Sequence, residues 1–478
     1  MSAIAASPAR PARMSSRERL ALAVLLTAGF TLAVDFSILT VALPQIGRDV
    51  GIATEHLQWI STTYALCAAG LTLLFGRVSD LVGRRRLFLV GMALLGAASL
   101  CGGLAGDPAT LLAARVAQGT ATAMVIPSAL SLLTTTFPEG PSRDRALGLN
   151  GSLMAAGFTT GAILGGVLTG VLSWRWAFFV NVAVAVVVLA VAPAVLRENR
   201  SERRPRVDLA GATTVSLALV AIVYAATTAG ASGWTSPVVW AGLAAAAVLL
   251  VLFWLVERRV SEPLIALKVL AERHVAWGNV AGLLAFATET SLVFPLTLYL
   301  QDVLGLSPLA AGLSFGVLGT GTVVGGLLAS RVIARTDAKR AIVAGFGVQA
   351  LATIPLAFVG DSRAWVVPLL ALTFLGGVAN LVAIVGYVVA STSGLPDAQQ
   401  GLATGLVTMS QQVGIALGTP VMSAVISSQA ARGLLAGIRA AVGVNGLVCV
   451  AAAVLVAVAL RLPGRSAHVE AGPVVAAV

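Results

Sequence analysis

The chain is laid out as long apolar runs separated by short polar breaks, from one end to the other. Fourteen runs cover residues 20–44, 57–76, 87–106, 109–133, 145–171, 176–196, 209–229, 238–256, 274–300, 309–330, 340–359, 365–390, 402–428 and 438–460. Each is close to the ~20 residues with which an α-helix crosses a ~30 Å hydrocarbon core. The pattern predicts an all-α integral membrane protein with 14 transmembrane helices.

The polar breaks are unequal. Of the 31 Lys and Arg residues, 25 fall on one side when the breaks are counted alternately. The other side holds Arg48, Arg175, Arg363, Arg432 and Arg439, and Arg115 lies inside a run. Basic residues stay in the cytoplasm, so both termini are expected there, with the chain in the cytoplasmic membrane of a bacterium. Residues 1–19 carry four arginines and no apolar run, and read as a cytoplasmic segment before an uncleaved first helix. The breaks 77–86 and 331–340 each follow the second run of their half, which suggests a parallel repeat. The runs 209–229 and 238–256 can be removed together without inverting any later break. The expected organisation is thus an N-terminal six-helix bundle (20–196), a linker with two extra transmembrane helices (197–273), a C-terminal six-helix bundle (274–460) and a cytoplasmic tail (461–478).

Composition narrows the function. Only 11% of the 478 residues are charged and mean hydropathy is +0.94, whereas soluble domains carry about 25% charged residues. A water-soluble enzyme is excluded on that ground. The net charge of +11 is spent on topology, so no nucleic-acid partner is expected. Lys268 and Lys339 do not follow a glycine, so there is no phosphate-cradling P-loop and no motor for ATP hydrolysis. The three cysteines sit in apolar runs and imply no disulfide framework. His56, His274 and His468 lie in breaks or at ends. No metal or nucleophile constellation is visible, and neither a cofactor nor an enzymatic activity is expected.

Three ionisable residues lie deep within runs: Asp35, Arg115 and Glu289. Each costs on the order of 2.5–3.5 kcal/mol to place at mid-membrane. Asp35 and Glu289 both stand 15 residues into the first run of their half, roughly 22 Å deep, and so look like equivalent positions. Either acid, set among apolar groups, can hold a proton until a cation or water arrives. Asp35 can alternatively be locked in an ion pair with Arg115, and Glu289 hydrogen-bonded to Thr288 or Thr290. Arg115, always charged, is either that static partner or the group that drives a proton off Asp35. Gln118, Asn380, Gln411 and Gln412, with Tyr64 and Phe286, are candidates for a substrate cavity. The polar ones serve equally well as glue between helices. Gly157, Gly161, Gly165 and Gly166 form a small-residue stripe that permits close helix approach.

These residues together resemble the major facilitator superfamily, and within it the fourteen-helix drug:proton antiporter branch. The segment Gly76-Arg77-Val78-Ser79-Asp80-Leu81-Val82-Gly83-Arg84-Arg85-Arg86 is similar to the superfamily's signature loop, with Leu81 where a basic residue is usual. Gly76 and Gly83 are expected to reverse the chain there. The resemblance implies a charge-dependent latch between the halves from Gly76, Arg77, Asp80, Gly83, Arg84 and Arg85. Val34-Asp35 through Pro44 resembles the branch's first-helix motif, and Arg115-Val116-Ala117-Gln118-Gly119 its fourth-helix motif, whose arginine takes part in proton transfer. Tyr299-Leu300-Gln301 with Gly305 to Pro308 resembles the junction after the first helix of the second half. The stripe Gly157–Gly166 resembles the antiporter motif, with Ala162 in place of its proline. By resemblance, the protein is a monomeric transporter of a small-molecule substrate and protons. The expected activity is proton-coupled efflux of hydrophobic or cationic drugs or antibiotics by alternating access. A single-metabolite exporter, a solute:proton symporter and a non-transporting sensor or scaffold are the other readings.

Overall fold

The computed structural model describes residues 14–53, 56–137, 141–198, 208–233, 235–260, 272–395 and 397–462. Within them the apolar runs become fourteen long α-helices and no strand. The helices are α1 (Ser16–Val50), α2 (Gln58–Val82), α3 (Arg84–Gly103), α4 (Pro108–Thr136), α5 (Pro141–Val171), α6 (Arg175–Val195), α7 (Leu209–Ser232) and α8 (Pro237–Glu257). They continue as α9 (Arg273–Leu298), α10 (Pro308–Arg335), α11 (Ala338–Thr353), α12 (Val366–Thr392), α13 (Asp397–Ser428) and α14 (Leu434–Ala459). Eleven of them, rather than the fourteen expected, are long and apolar enough among the described residues to cross a membrane. The other three, α2, α5 and α13, are described only in part.

Local chemistry sets the helix ends. Ser15 caps α1 in a reciprocal box with Glu18, whose carboxyl is held below the usual carboxylate range by the Ser15 amide and hydroxyl. Asp107 caps α4, with Pro108 in the first turn. Pro295 removes a donor from α9, and the helix loosens into a π turn at Tyr299–Val303. The run expected to be helical to residue 359 leaves the α form at Thr353 and finishes as a 3-10 turn, Ile354–Phe358, with Pro355 in its first turn.

The first six and last six helices pack by the same scheme. In the first group α1 meets α4, α5 and α6, while α3 and α2 meet α4, and α3 also meets α6. In the second group α9 meets α12, α13 and α14, while α11 and α10 meet α12, and α11 also meets α14. The groups touch each other through α5 with α10 and through α2 with α13. Helix α7 packs on both α2 and α13, and α8 packs on α7, leaving a broad apolar face outward.

Glycine contacts fix the register of this repeat. Gly157 and Gly161 lie on the carbonyls of Phe30 and Val34; Gly414 and Gly418 lie on those of Leu283 and Ala287. Residues of α1 therefore map onto α9 by a common step of 253 (283 − 30 and 287 − 34). Asp35 maps onto Thr288, and Glu289 maps onto Phe36. The two acids are one residue out of step, about 100° apart around the helix. The reading of the acids as equivalent positions is corrected on this point.

The two groups share one core at the end away from the termini. There Val34–Val50 of α1 packs in a single cluster with Leu292–Leu304, Phe315, Leu356 and Ile438. The Gln301 side-chain amide donates across the groups to the Val41 carbonyl at 2.7 Å. Toward the termini, each group has a core of its own, around Phe88 and Leu132 in one and Phe346 and Tyr387 in the other. The molecule is closed at the face opposite the termini.

Candidate functional site

Asp35 is fully buried on α1, and α4 and α6 converge on it. The Arg115 Nη1 of α4 stands 3.4 Å from its Oδ2, with the two side chains 1% and 0% exposed. Gln118 donates to Oδ1 at 3.3 Å, and Asn181 of α6 donates to the same oxygen. Arg115 is itself held: Nε donates to the Ile60 carbonyl at 2.9 Å and Nη1 to Gln118 Oε1 at 2.9 Å. Its guanidinium lies 4.2 Å from the centre of the Tyr64 ring, a cation–π contact. Tyr64 shares a hydrogen bond with Thr122, and Gln118 donates to Ser99. Of the two readings of Asp35, the ion pair is the geometry present. A buried carboxylate facing a charged arginine and two amide donors has every charge compensated.

Glu289 has a different setting. It lines a cavity between α9, α10, α11 and α12 together with Thr322, Gln349, Thr353, Thr373 and Asn380. Among the described residues no group hydrogen-bonds or ion-pairs with its carboxyl. Thr288 and Thr290, its expected neighbours, give their hydroxyls to the Ala285 and Phe286 carbonyls of their own helix. The polar chain beside it runs from Asn380 Nδ2 to Gln349 Oε1 and from Gln349 Nε2 to Thr288 Oγ1, each 3.3 Å. Asn445 of α14 donates to the Thr288 carbonyl and the Ser291 hydroxyl at 2.8 and 2.7 Å.

The repeat explains the empty space. Gly119 lies on the Tyr64 carbonyl and Gly377 on that of Leu318, so Tyr64 maps onto Leu318 and, by position along α4 and α12, Arg115 onto Thr373. Gln118 maps onto Gly376 in the same way. The three large polar side chains that fill the first half are replaced by a threonine, a leucine and a glycine.

Other expected residues fall elsewhere. Phe286 packs edge-on against Tyr387 in the core of the second half. Gln411 and Gln412 are half-buried on α13 and do not line the Glu289 cavity. The glycine stripe divides: Gly157, Gly161 and Gly165 face α1 of their own half, whereas Gly166 lies against Pro308 and Gly312 of the other. Ser99, Asn181, Gln349, Thr373 and Asn445 were not anticipated. Asn181, Gln349 and Asn445 are amides within apolar runs, a signal as strong as that of Asn380.

The expected signature loop is mostly helix. Helix α2 continues through Gly76 to Val82, α3 begins at Arg84, and Gly83 alone makes the break with φ 110°. Gly76 is helical and reverses nothing. The side chains of Arg77 and Asp80 lie outside the described residues. Arg85 donates to the Pro193 carbonyl at 2.7 Å, and its amide faces Glu198 at 3.4 Å, both within the first half. Arg84 also has a partner. Glu198 thus serves the start of α3 as Asp337, itself an N-cap, serves the start of α11.

The fold and these buried polar clusters define a helical membrane transporter. Residues 25–419 match the Major Facilitator Superfamily, and the chain belongs to that superfamily. It is 38% identical over 409 residues to the puromycin resistance protein pur8 of Streptomyces alboniger, covering 84% of this chain and 81% of that one. It is 37% identical over 425 residues to the cephamycin export protein CmcT of Amycolatopsis lactamdurans, covering 85% of each. A lincomycin resistance protein of Streptomyces lincolnensis is 32% identical over 393 residues, covering 82% of this chain and 80% of that one. The fold is also that of the nucleoside transporter NupG, with TM-score 0.65 at 11% identity, covering 92% of this chain and 100% of that one.

Proposed function

We propose that the protein exports antibiotics or related hydrophobic, cationic compounds across a bacterial cytoplasmic membrane in exchange for protons. The observation that carries this is the pair of unlike acids within the helices, the buried Asp35 and the cavity-lining Glu289, one in each half of a superfamily transporter whose relatives include resistance and export proteins. Fourteen crossings with both termini in the cytoplasm, and six-helix bundles at 20–196 and 274–460 moving as units, complete the reading. Cargo enters from the cytoplasm, because the opposite face is closed in the state described.

In this scheme Glu289 is the exchanging site. Without a counter-ion among the described residues, its carboxylate either takes a proton or holds a cation. A proton arriving from outside displaces the cargo, and its loss to the cytoplasm resets the acid. Asp35 and Arg115 respond to the change of state. Water reaching their cluster protonates Asp35 and releases Arg115 to its Ile60, Gln118 and Tyr64 contacts. No ATP is consumed. Arg77, Asp80, Gly83, Arg84 and Arg85 act at the cytoplasmic end as the latch that the superfamily resemblance implies.

The test is proton flux in inside-out vesicles that hold an imposed pH gradient. Adding lipophilic cations and antibiotics is expected to dissipate the gradient in wild type, and less in Asp35→Asn and Glu289→Gln. Wild-type flux from Glu289→Gln, with the protein present in equal amount, would refute its role as the exchanging site.

A further inference from the structure

The cavity of the second half presents an unusual set of polar groups. The Asn380 amide nitrogen is occupied by the Ala285 carbonyl at 3.0 Å and by Gln349. That orientation leaves Oδ1 as the free end, and Oδ1 is buried with no partner, in a side chain 2% exposed. The Thr322 hydroxyl donates to the Gly319 carbonyl and the Thr373 hydroxyl to that of Leu369, each at 2.8 Å. Both hydroxyls therefore turn lone pairs, not protons, to their surroundings. The Gln349 amide donates to Thr288. Only Thr353 keeps a hydroxyl proton with no described partner. The walls thus combine one carboxylate with several acceptors, and among the described residues no basic side chain lines the space. The free space takes a group the size of water.

An unpartnered buried acceptor costs about 1–3 kcal/mol, so this arrangement is completed by a ligand that brings both charge and N–H donors. In the first half, the equivalent space is occupied by the protein's own such group, the Arg115 guanidinium over Tyr64. We propose that the cavity is a subsite for a protonated primary or secondary amine of the exported compound, with Glu289 as counter-ion and Asn380 Oδ1 as the orienting acceptor. The assignment rests on the efflux reading above and specifies the cargo's chemistry. It requires N–H groups on the cation, which charge alone does not.

Two probes separate the requirements: dansylcadaverine, a primary ammonium, and its N-trimethyl counterpart, with the same tail and charge but no N–H on the cation. Binding to the purified full chain is read by dansyl fluorescence. Wild type is expected to bind the primary amine about tenfold more tightly, as one charge-assisted hydrogen bond provides. Asn380→Leu is expected to abolish that preference while leaving the trimethyl probe within about twofold. Glu289→Gln is expected to weaken both probes. Equal binding of the two probes by wild type overturns the proposal without any variant. So does an Asn380→Leu protein, monodisperse and of wild-type melting temperature, that keeps the preference. Proton flux that still depends on Glu289, with no preference between probes, removes the subsite and leaves antiport standing. A preference retained without flux supports the subsite and removes antiport.

Discussion

Gly166→Ala bears on how the closed face is held. A Cβ built on Gly166 lies 2.7 Å from the Pro308 carbonyl oxygen and 2.8 Å from Gly312 Cα, both in the other half. Ordinary contact begins at 3.4 Å, so the methyl intrudes by about 0.7 Å on backbone that cannot swing aside. Overpacking of this kind costs about 1–3 kcal/mol. Because the clash exists only while the halves are closed on this face, the cost falls on that state. It moves the equilibrium about 5–150-fold toward opening. Gly157→Ala is the control, since its Cβ would lie 2.9 Å from the Phe30 carbonyl within the same half. It is expected to lower the melting temperature with no change in the closed population. The assay is a double electron–electron resonance distance between labels at the exposed positions Leu104 and Val367, with Cys67, Cys101 and Cys449 replaced. Gly166→Ala should add a longer distance that Gly157→Ala lacks. Identical distributions for wild type and Gly166→Ala, or the same shift from both alanines, would refute the reasoning.

Arg115→Met leaves Asp35 charged and unpaired, and is expected to destabilise by about 3–5 kcal/mol. The double variant Asp35→Asn/Arg115→Met should recover part of that, as read by thermal unfolding in a double-mutant cycle. Gly83→Ala forces φ 110° on an L side chain and sets its Cβ 2.6 Å from Glu198 Oε1; a cost of about 1–3 kcal/mol should lower the melting temperature. Gly76→Ala, helical and 3.7 Å from the nearest atom, Pro127 Cβ, should leave the melting temperature unchanged or raise it, which separates the two glycines of the signature segment. Asn181→Leu removes a donor from Asp35 without touching Arg115, and is expected to slow proton exchange in the vesicle assay while expression stays normal.

The helices were readable because each run has to satisfy its own length requirement, and the Asp35–Arg115 pair because charges in lipid are few. Their depths from opposite faces agreed. What escaped had physical reasons. Asn181 and Ser99 complete the Asp35 cluster from α6 and α3, but a lone polar residue in an apolar run carries no record of which helix it faces. Asp35 and Glu289 stand equally far into their apolar runs, but equal depth does not fix which face a residue occupies; a one-residue step rotates a side chain by about 100°. The Glu289 cavity was illegible for another reason. It exists through what is missing, Thr373, Leu318 and Gly376 standing where Arg115, Tyr64 and Gln118 stand in the other half. The signature segment reads as a loop from its charges, yet two turns of it continue α2, since only Gly83 departs from helical backbone.

Helix α7 has a consequence for access from the bilayer. The repeat offers two matching seams, α2 against α13 and α5 against α10, and α7 lies along the first of them while no described helix lies along the second. The protein is therefore lopsided about its own pseudo-symmetry axis. One flank is buttressed and the other is bare to lipid. An oily cargo dissolved in the leaflet meets a covering helix along one seam, whereas along the other it meets only the direct glycine-lined contact of α5 with α10.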